Sequence, residues 1–138
     1  MLALAALKDW SISAVDVKSA FLYGKLDEEI YMEQPEGFIA RGQERKVLRL
    51  RRAIYGLRQA ALVWWKALTQ SMKDLGFKHL SSDAGIFICH QDGSYVIAII
   101  YIDDALFLGP NEDLVALKKA EFMEKWECRD LGEAREYL

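Results

Sequence analysis

The sequence predicts an α+β domain in which an antiparallel sheet packs against helices, and three stretches predict it. From Tyr95 to Leu108, β-branched and aromatic residues run on either side of Asp103 and Asp104, which reads as two strands joined at the acidic pair. Just before, Asp92-Gly93 stands between the apolar runs Gly85 to His90 and Ser94 to Tyr101, and Asp-Gly is a residue pair that short hairpin turns prefer. Between Ala60 and Gly76, and again after Asn111, apolar residues recur at helical spacing.

Taken in order, Met1 to Leu7 is apolar and short, lacks a basic leader and a small-residue cleavage site, and reads as a core helix. Ser11 to Val17 has strand composition, with Asp16 between two valines. Lys18 to Tyr23 then reads as a short helix closed at Gly24, for which Asp16 is a candidate N-cap. Lys25 to Glu29 is a polar connection, and Ile30 to Met32 a short strand ended by Gln34-Pro35-Glu36-Gly37. From Lys46 to Arg51 the pattern alternates. Leu48 and Leu50 share one face for packing, and Arg49 and Arg51 share the other, which meets phosphate or water. Ala61, Trp64, Trp65, Leu68, Met72 and Leu75 form the stripe of the next helix, with the tryptophans in the core and Gly76 as its C-terminal cap. Asn111 caps the last helix, which carries Val115, Ala116, Phe122, Met123 and Trp126 on one face; Lys119 falls on that face and must snorkel. His79 and His90 sit in connecting or edge positions and have no ligand-spaced companion.

Composition bounds the reading. With 138 residues, 52% hydrophobic and 28% charged, the chain fits one globular domain with a real core, and it has neither repeats nor low-complexity tracts. Cys89 and Cys128 are isolated, which disfavours zinc and points to a reduced, intracellular chain. The longest apolar run holds Asp103 and Asp104 and is too short and too charged to span a bilayer. The net charge is −3, yet from Arg41 to Arg58 seven basic residues face the single acid Glu44. A basic segment within an acidic protein suggests a local anionic partner, either nucleic acid or a triphosphate; a solvated loop is the alternative.

The acids carry the chemistry. Two carboxylates about 4 Å apart repel by roughly 4 kcal/mol at an effective dielectric of 20. Tyr101-Ile102-Asp103-Asp104-Ala105 is also poor turn chemistry. A strand ending near Asp16 can lie beside that hairpin, so that all three acids meet at one sheet edge. Such a set suits two hard divalent cations about 3.5 to 4 Å apart. Ordinary surface charge is the alternative.

Four ordered blocks sharpen this. Val15-Asp16-Val17-Lys18-Ser19-Ala20-Phe21-Leu22-Tyr23-Gly24, Ile30-Tyr31-Met32-Glu33-Gln34-Pro35-Glu36-Gly37-Phe38, Tyr55-Gly56-Leu57-Arg58-Gln59-Ala60 and Tyr101-Ile102-Asp103-Asp104 together resemble the reverse transcriptase of copia-type LTR retrotransposons, nearly over the whole chain. The resemblance implies a polymerase palm, a ferredoxin-like antiparallel sheet packed against helices, spanning residues 1–138. It implies an RNA-directed DNA polymerase that extends a primer 3′-hydroxyl with two Mg2+ ions, or Mn2+ in their place. The expected partners are RNA or DNA template-primer, deoxynucleoside triphosphates and the rest of the Pol polyprotein, in a cytoplasmic particle or the nucleus, with no membrane. Position by position, it makes Asp16, Asp103 and Asp104 the catalytic, metal-binding acids and Phe21 an aromatic gate against a ribose 2′-hydroxyl. On residues alone Phe21 reads equally as packed core. Gln59 would lie over the incoming nucleotide and Tyr101 near the primer end. Arg58, beside Gln59, is positioned for phosphate. Arg49 and Arg51 are assigned to the template or primer backbone from their shared face, with a solvated strand face as the alternative.

The chain departs from the family where Ala61 and Leu62 replace Pro and Arg. Most of the fingers, the thumb and RNase H are expected outside this chain, and Asp130 to Leu138 resembles the start of the primer-grip region. Two other readings therefore accompany the polymerase: a catalytically silent remnant or nucleic-acid-binding module, and a metal-free interaction domain of the same fold.

Overall fold

The computed structural model describes residues 1–134. Its centre is a six-stranded antiparallel sheet in the order β4-β5-β6-β7-β1-β8, formed by β1 (Ser11–Val17), β4 (Lys78–Leu80), β5 (Asp83–Gln91), β6 (Ser94–Tyr101), β7 (Asp104–Gly109) and β8 (Cys128–Glu133). Helices α2 (Ala60–Asp74) and α3 (Glu112–Lys125) cover one face, whereas α1 (Leu2–Leu7) lies against the other. A separate two-stranded ribbon, β2 (Lys25–Met32) and β3 (Leu48–Arg52), leaves the main sheet after a short 3-10 turn at Ala20–Tyr23. This is the predicted α+β architecture.

Strand alternation sorts the central residues onto two faces. Val15, Val17, Ala98, Ile100, Ala105 and Phe107 enter the core beneath α2 and α3 with Trp64, Leu68, Met72 and Phe122. Phe107 is its hub: it is fully buried and meets Phe122 at 5.3 Å and Phe77 at 6.3 Å between ring centroids. The intervening residues Ala14, Leu106, Leu108 and Ile97 form a second cluster under α1. At the β6–β7 end of that outer face the same parity presents Tyr101, Asp104 and Asp16.

The local signals for helix ends and turns hold. The Asn111 side chain accepts a hydrogen bond from the Leu114 amide at 2.9 Å. α2 ends in a Schellman arrangement, in which Gly76 at φ +85° lets its own amide reach Lys73 O and that of Phe77 reach Met72 O. Asp92 and Gly93, both at positive φ, close the β5–β6 hairpin with Gln91 opposite Ser94.

Several expectations are corrected. α1 is not a core helix: only Ala5 is buried, and Leu7 is 84% exposed, because six residues lie against the outer sheet face instead of between layers. Residues 25–29 are strand, because Lys25 pairs with Arg52 and Ile30 with Leu50. Leu48 is 44% exposed beside half-buried Leu50, since the ribbon has no layer behind its end. Asp16 lies within β1, and the 3-10 turn is preceded instead by Ser19 at φ +53°. Lys119 does not snorkel. Its ammonium donates to both Asp130 oxygens and to Ser13 Oγ, strapping the edge strand β8 to β1 and α3. The buried lysine is Lys118, paired with Glu121. The primer-grip resemblance at residues 135–138 falls outside the described residues.

Gly109 closes the β7–α3 corner, where a Cβ would stand 2.6 Å from Tyr95 O and 3.3 Å from Val115 Cγ2. Gly109→Ala is therefore expected to destabilise the fold by about 1–3 kcal/mol through overpacking against backbone, read as a lower urea midpoint at unchanged slope.

Candidate active site

Register builds the site. Asp16 on β1 lies directly opposite Asp104 on β7, and the Val17 amide donates to Asp103 O at 2.8 Å. That bond joins the residue after Asp16 to the residue before Asp104, so Asp16 and Asp104 form a non-hydrogen-bonded pair, the closer of the two antiparallel geometries, with Cα atoms roughly 4.5 Å apart. Tyr101 pairs with Asp104 across the hairpin, leaving Ile102 and Asp103 as its two turn residues. Ile102 stands at φ +56°. A β-branched residue in the left-handed region is a backbone outlier, costing on the order of 1–3 kcal/mol that its surroundings must offset.

Asp103 and Ile102 line one wall of a cleft of about 430 Å³ whose remaining lining includes Ser19, Phe21, Leu22 and Tyr55. The rings of Phe21 and Tyr55 are tilted against each other at 6.1 Å. The cleft thus joins a single carboxylate, Asp103, to an apolar, partly aromatic wall. Asp16 has Arg129 of β8 as its other cross-strand neighbour, which sets one exposed cation beside the acids. Partial burial, then the charges of Asp103 and Asp16, pushes the Asp104 carboxyl above the ordinary carboxylate range. Burial, reinforced by Asp16, raises the Cys128 thiol to about 11, so it is not a reactive thiolate at neutral pH.

The donor set fits divalent cations: the acids are hard oxygen ligands, two are cross-strand neighbours, and Asp104, raised first by burial and then by the charges of Asp103 and Asp16, is a carboxylate whose ionised form a cation would favour. Among the described residues, however, no three Asp, Glu, His or Cys side chains gather into a cation-binding group. The backbone juxtaposes the acids; their side chains do not converge, as mutual repulsion favours.

The other candidates are more dispersed. Gln59 precedes α2 and donates to Glu28 at 2.9 Å, so it faces the ribbon, and Arg58 beside it is exposed. Neither lines the cleft. Tyr101 is 74% exposed on the acidic face. Arg49 and Arg51 are exposed on β3, with Arg49 paired to Glu29 at 2.9 Å.

Comparison with known proteins decides the family. A family model described as reverse transcriptase (RNA-dependent DNA polymerase) matches residues 1–138. The chain belongs to the reverse transcriptase family. It is 37% identical over its whole length to the retrovirus-related Pol polyprotein from transposon TNT 1-94 of Nicotiana tabacum, and 33% identical, also over its whole length, to that from transposon RE1 of Arabidopsis thaliana. It is 39% identical over 86% of its length to the polyprotein from transposon RE2 of the same plant. These matches take in 10%, 9% and 8% of the relatives' own lengths, so the chain spans about a tenth of them. They bear out the copia-type resemblance.

Within this reverse transcriptase domain, sequence reasoning missed the cleft lining contributed by Ser19, Leu22, Ile54 and Ile102. None of these carries a chemical signature, although the β-branched residue inside a two-residue turn was a visible anomaly. It also read Trp64 as core alone; the indole N–H donates to Ile102 O at 2.7 Å.

Because Asp104 titrates above its unfolded value, the native state holds more protons than the unfolded chain between the two pKa values. Stability therefore falls as pH rises through that window. In the presence of chelator, Asp104→Asn is expected to raise the melting temperature at neutral pH, the gain shrinking as pH drops through the ordinary carboxylate range; a scan of melting temperature against pH checks it.

Proposed function

We propose that this reverse transcriptase domain is the palm of a copia-type Pol polyprotein and performs two-metal nucleotidyl transfer in RNA-directed DNA synthesis. The observation that carries the reading is the opposition of Asp16 and Asp104 across the β1–β7 ladder, beside the turn whose Asp103 lines the cleft. Asp16, Asp103 and Asp104 would hold two Mg2+ ions, or Mn2+ in their place. Bound there, the ions would supply Lewis-acid charge to the primer 3′-hydroxyl and to the leaving pyrophosphate. Everything else is positioning. The register fixes Asp16 against Asp104, and the turn presents Asp103 to the cleft.

Phe21 and Tyr55 form the cleft's aromatic wall, and Phe21 is the side chain assigned to exclude a 2′-hydroxyl. Arg58 is free to meet phosphate, whereas Gln59 must release Glu28 before it can cover a nucleotide. Tyr101 stands on the acid face towards a primer end, and the Arg49 and Arg51 strand offers cations to the template or primer backbone. The partners are template-primer, deoxynucleoside triphosphates and the remainder of the polyprotein, in an intracellular particle or the nucleus. Among the described residues no helix is long and apolar enough to cross a membrane. The dispersed carboxylate side chains favour a second reading, a nucleic-acid-binding module without catalysis.

Primer extension on an RNA template with Mg2+ separates the two, comparing this chain, its Asp103→Asn variant and a longer chain carrying the flanking polyprotein sequence. Extension that falls about 10²- to 10³-fold in the variant, the scale of removing one preorganised electrostatic contact, supports catalysis. Template-primer binding without extension in both wild-type chains leaves the binding module. For the gate, Phe21→Val is expected to raise ribonucleotide relative to deoxynucleotide incorporation by about 10- to 200-fold, measured as the ratio of kcat/KM values. An unchanged ratio would return Phe21 to a packing role.

A further inference from the structure

Trp64 reaches from the core face of α2 to the back of the acidic turn. It is 2% exposed, and its indole Nε1–H donates to the Ile102 carbonyl at 2.7 Å. Its ring is fixed edge-on against Trp126 at 5.0 Å and tilted against Tyr23 at 6.0 Å; the Tyr23 hydroxyl in turn accepts from the Glu127 amide at 2.9 Å. The two turn carbonyls are thus clamped from different elements: Ile102 O by Trp64 of α2, and Asp103 O by the Val17 amide of β1. The peptide between these anchors decides where Asp103 points. It is also where Ile102 holds its left-handed conformation, which a β-branched residue keeps only when neighbours over-determine it. Burial does not by itself call for an indole here: a phenylalanine ring would fill most of the same space and offer no donor.

We infer that Trp64 is a positioning residue for the catalytic turn, its indole N–H setting the Ile102–Asp103 peptide and with it the aim of Asp103 and the cleft wall that Ile102 supplies. Trp64 lines no part of the cleft, so it acts through the turn and not on substrate. The catalytic consequence rests on the polymerase reading, whereas the structural one does not.

The test compares wild type, Trp64→Phe and Trp126→Phe by amide hydrogen exchange and by primer extension. Trp126→Phe is the matched control: it makes the same ring change beside Trp64, at 5.0 Å between centroids, but removes an indole N–H that is buried without a hydrogen-bond partner, so loss of ring packing is common to both variants and loss of a bonded donor is not. Losing the Trp64 donor is expected to speed exchange of the Val17 amide by about tenfold relative to amides of β5 and β6, while Trp126→Phe changes exchange evenly. In extension assays Trp64→Phe is expected to lower kcat by about tenfold, with KM for the deoxynucleotide within about twofold of wild type. Val17 exchange that stays in step with β5 and β6 overturns the inference, as does a kcat loss that Trp126→Phe matches. Should Trp64→Phe not fold, the wild-type indole proton decides. Protection of that proton beyond that of the buried, unpartnered Trp126 indole supports the bond, and exchange no slower than that of Trp126 refutes it. If the wild-type chain extends no primer even with its flanking sequence, the polymerase reading has failed, and the exchange result still stands for the turn.

Discussion

Carboxylates repel, and a protein that sets Asp16 opposite Asp104 needs a scaffold that cannot slip. The scaffold is the β1–β7 ladder, continuous from Ser11 opposite Gly109 to Asp16 opposite Asp104. A slip of β1 by one residue would send Asp16 into the apolar core and turn Val15 out to water. The buried cluster around Phe107, Phe122 and Val15 therefore fixes the register, and the register fixes the acids. Hydrophobic burial holds charge against charge.

The turn is the second constraint. A two-residue hairpin that places Ile102 at positive φ is disfavoured locally, and it persists because β1 and α2 each hold one of its carbonyls. Such strain is tolerated where the surroundings are rigid. Here the surroundings are the Tyr23, Trp64 and Trp126 rings, drawn from three separate parts of the chain.

Away from the sheet the ribbon is held differently. Its tip depends on Gln34, whose amide donates to Gln43 O and Lys46 O while its oxygen accepts from the Ala40 amide. It has little apolar support, which is why its basic residues Arg41, Arg45 and Lys46 remain exposed. Under the proposed function, nucleic acid would meet charge on the ribbon, and the cleft would offer it Asp103 and an aromatic wall.

By itself the sequence determined most of what rests on local patterning: the existence of α2 and α3 and the centres of their apolar stripes, although Ala61 and Ala116 are exposed and Leu114 and Lys118 are buried instead, the Asn111 cap, the Gly76 terminus, the Asp92-Gly93 turn, and the hairpin bearing Asp103 and Asp104. It also marked those acids as misplaced for a bland turn, and four short blocks were enough to identify the family. Tertiary structure decided what depends on partners distant in sequence. Asp16 meets Asp104 across 88 residues of chain only because β1 inserts between β7 and β8. Lys119 became a strap and not a snorkelling side chain because Asp130 and Ser13 arrive beside it. Met1 to Leu7 carries core composition yet lies on the outer sheet face, because periodicity reports an apolar surface without saying what will cover it. Trp64 showed the same limit: its spacing announced burial, and only the folded chain showed which carbonyl its N–H would meet.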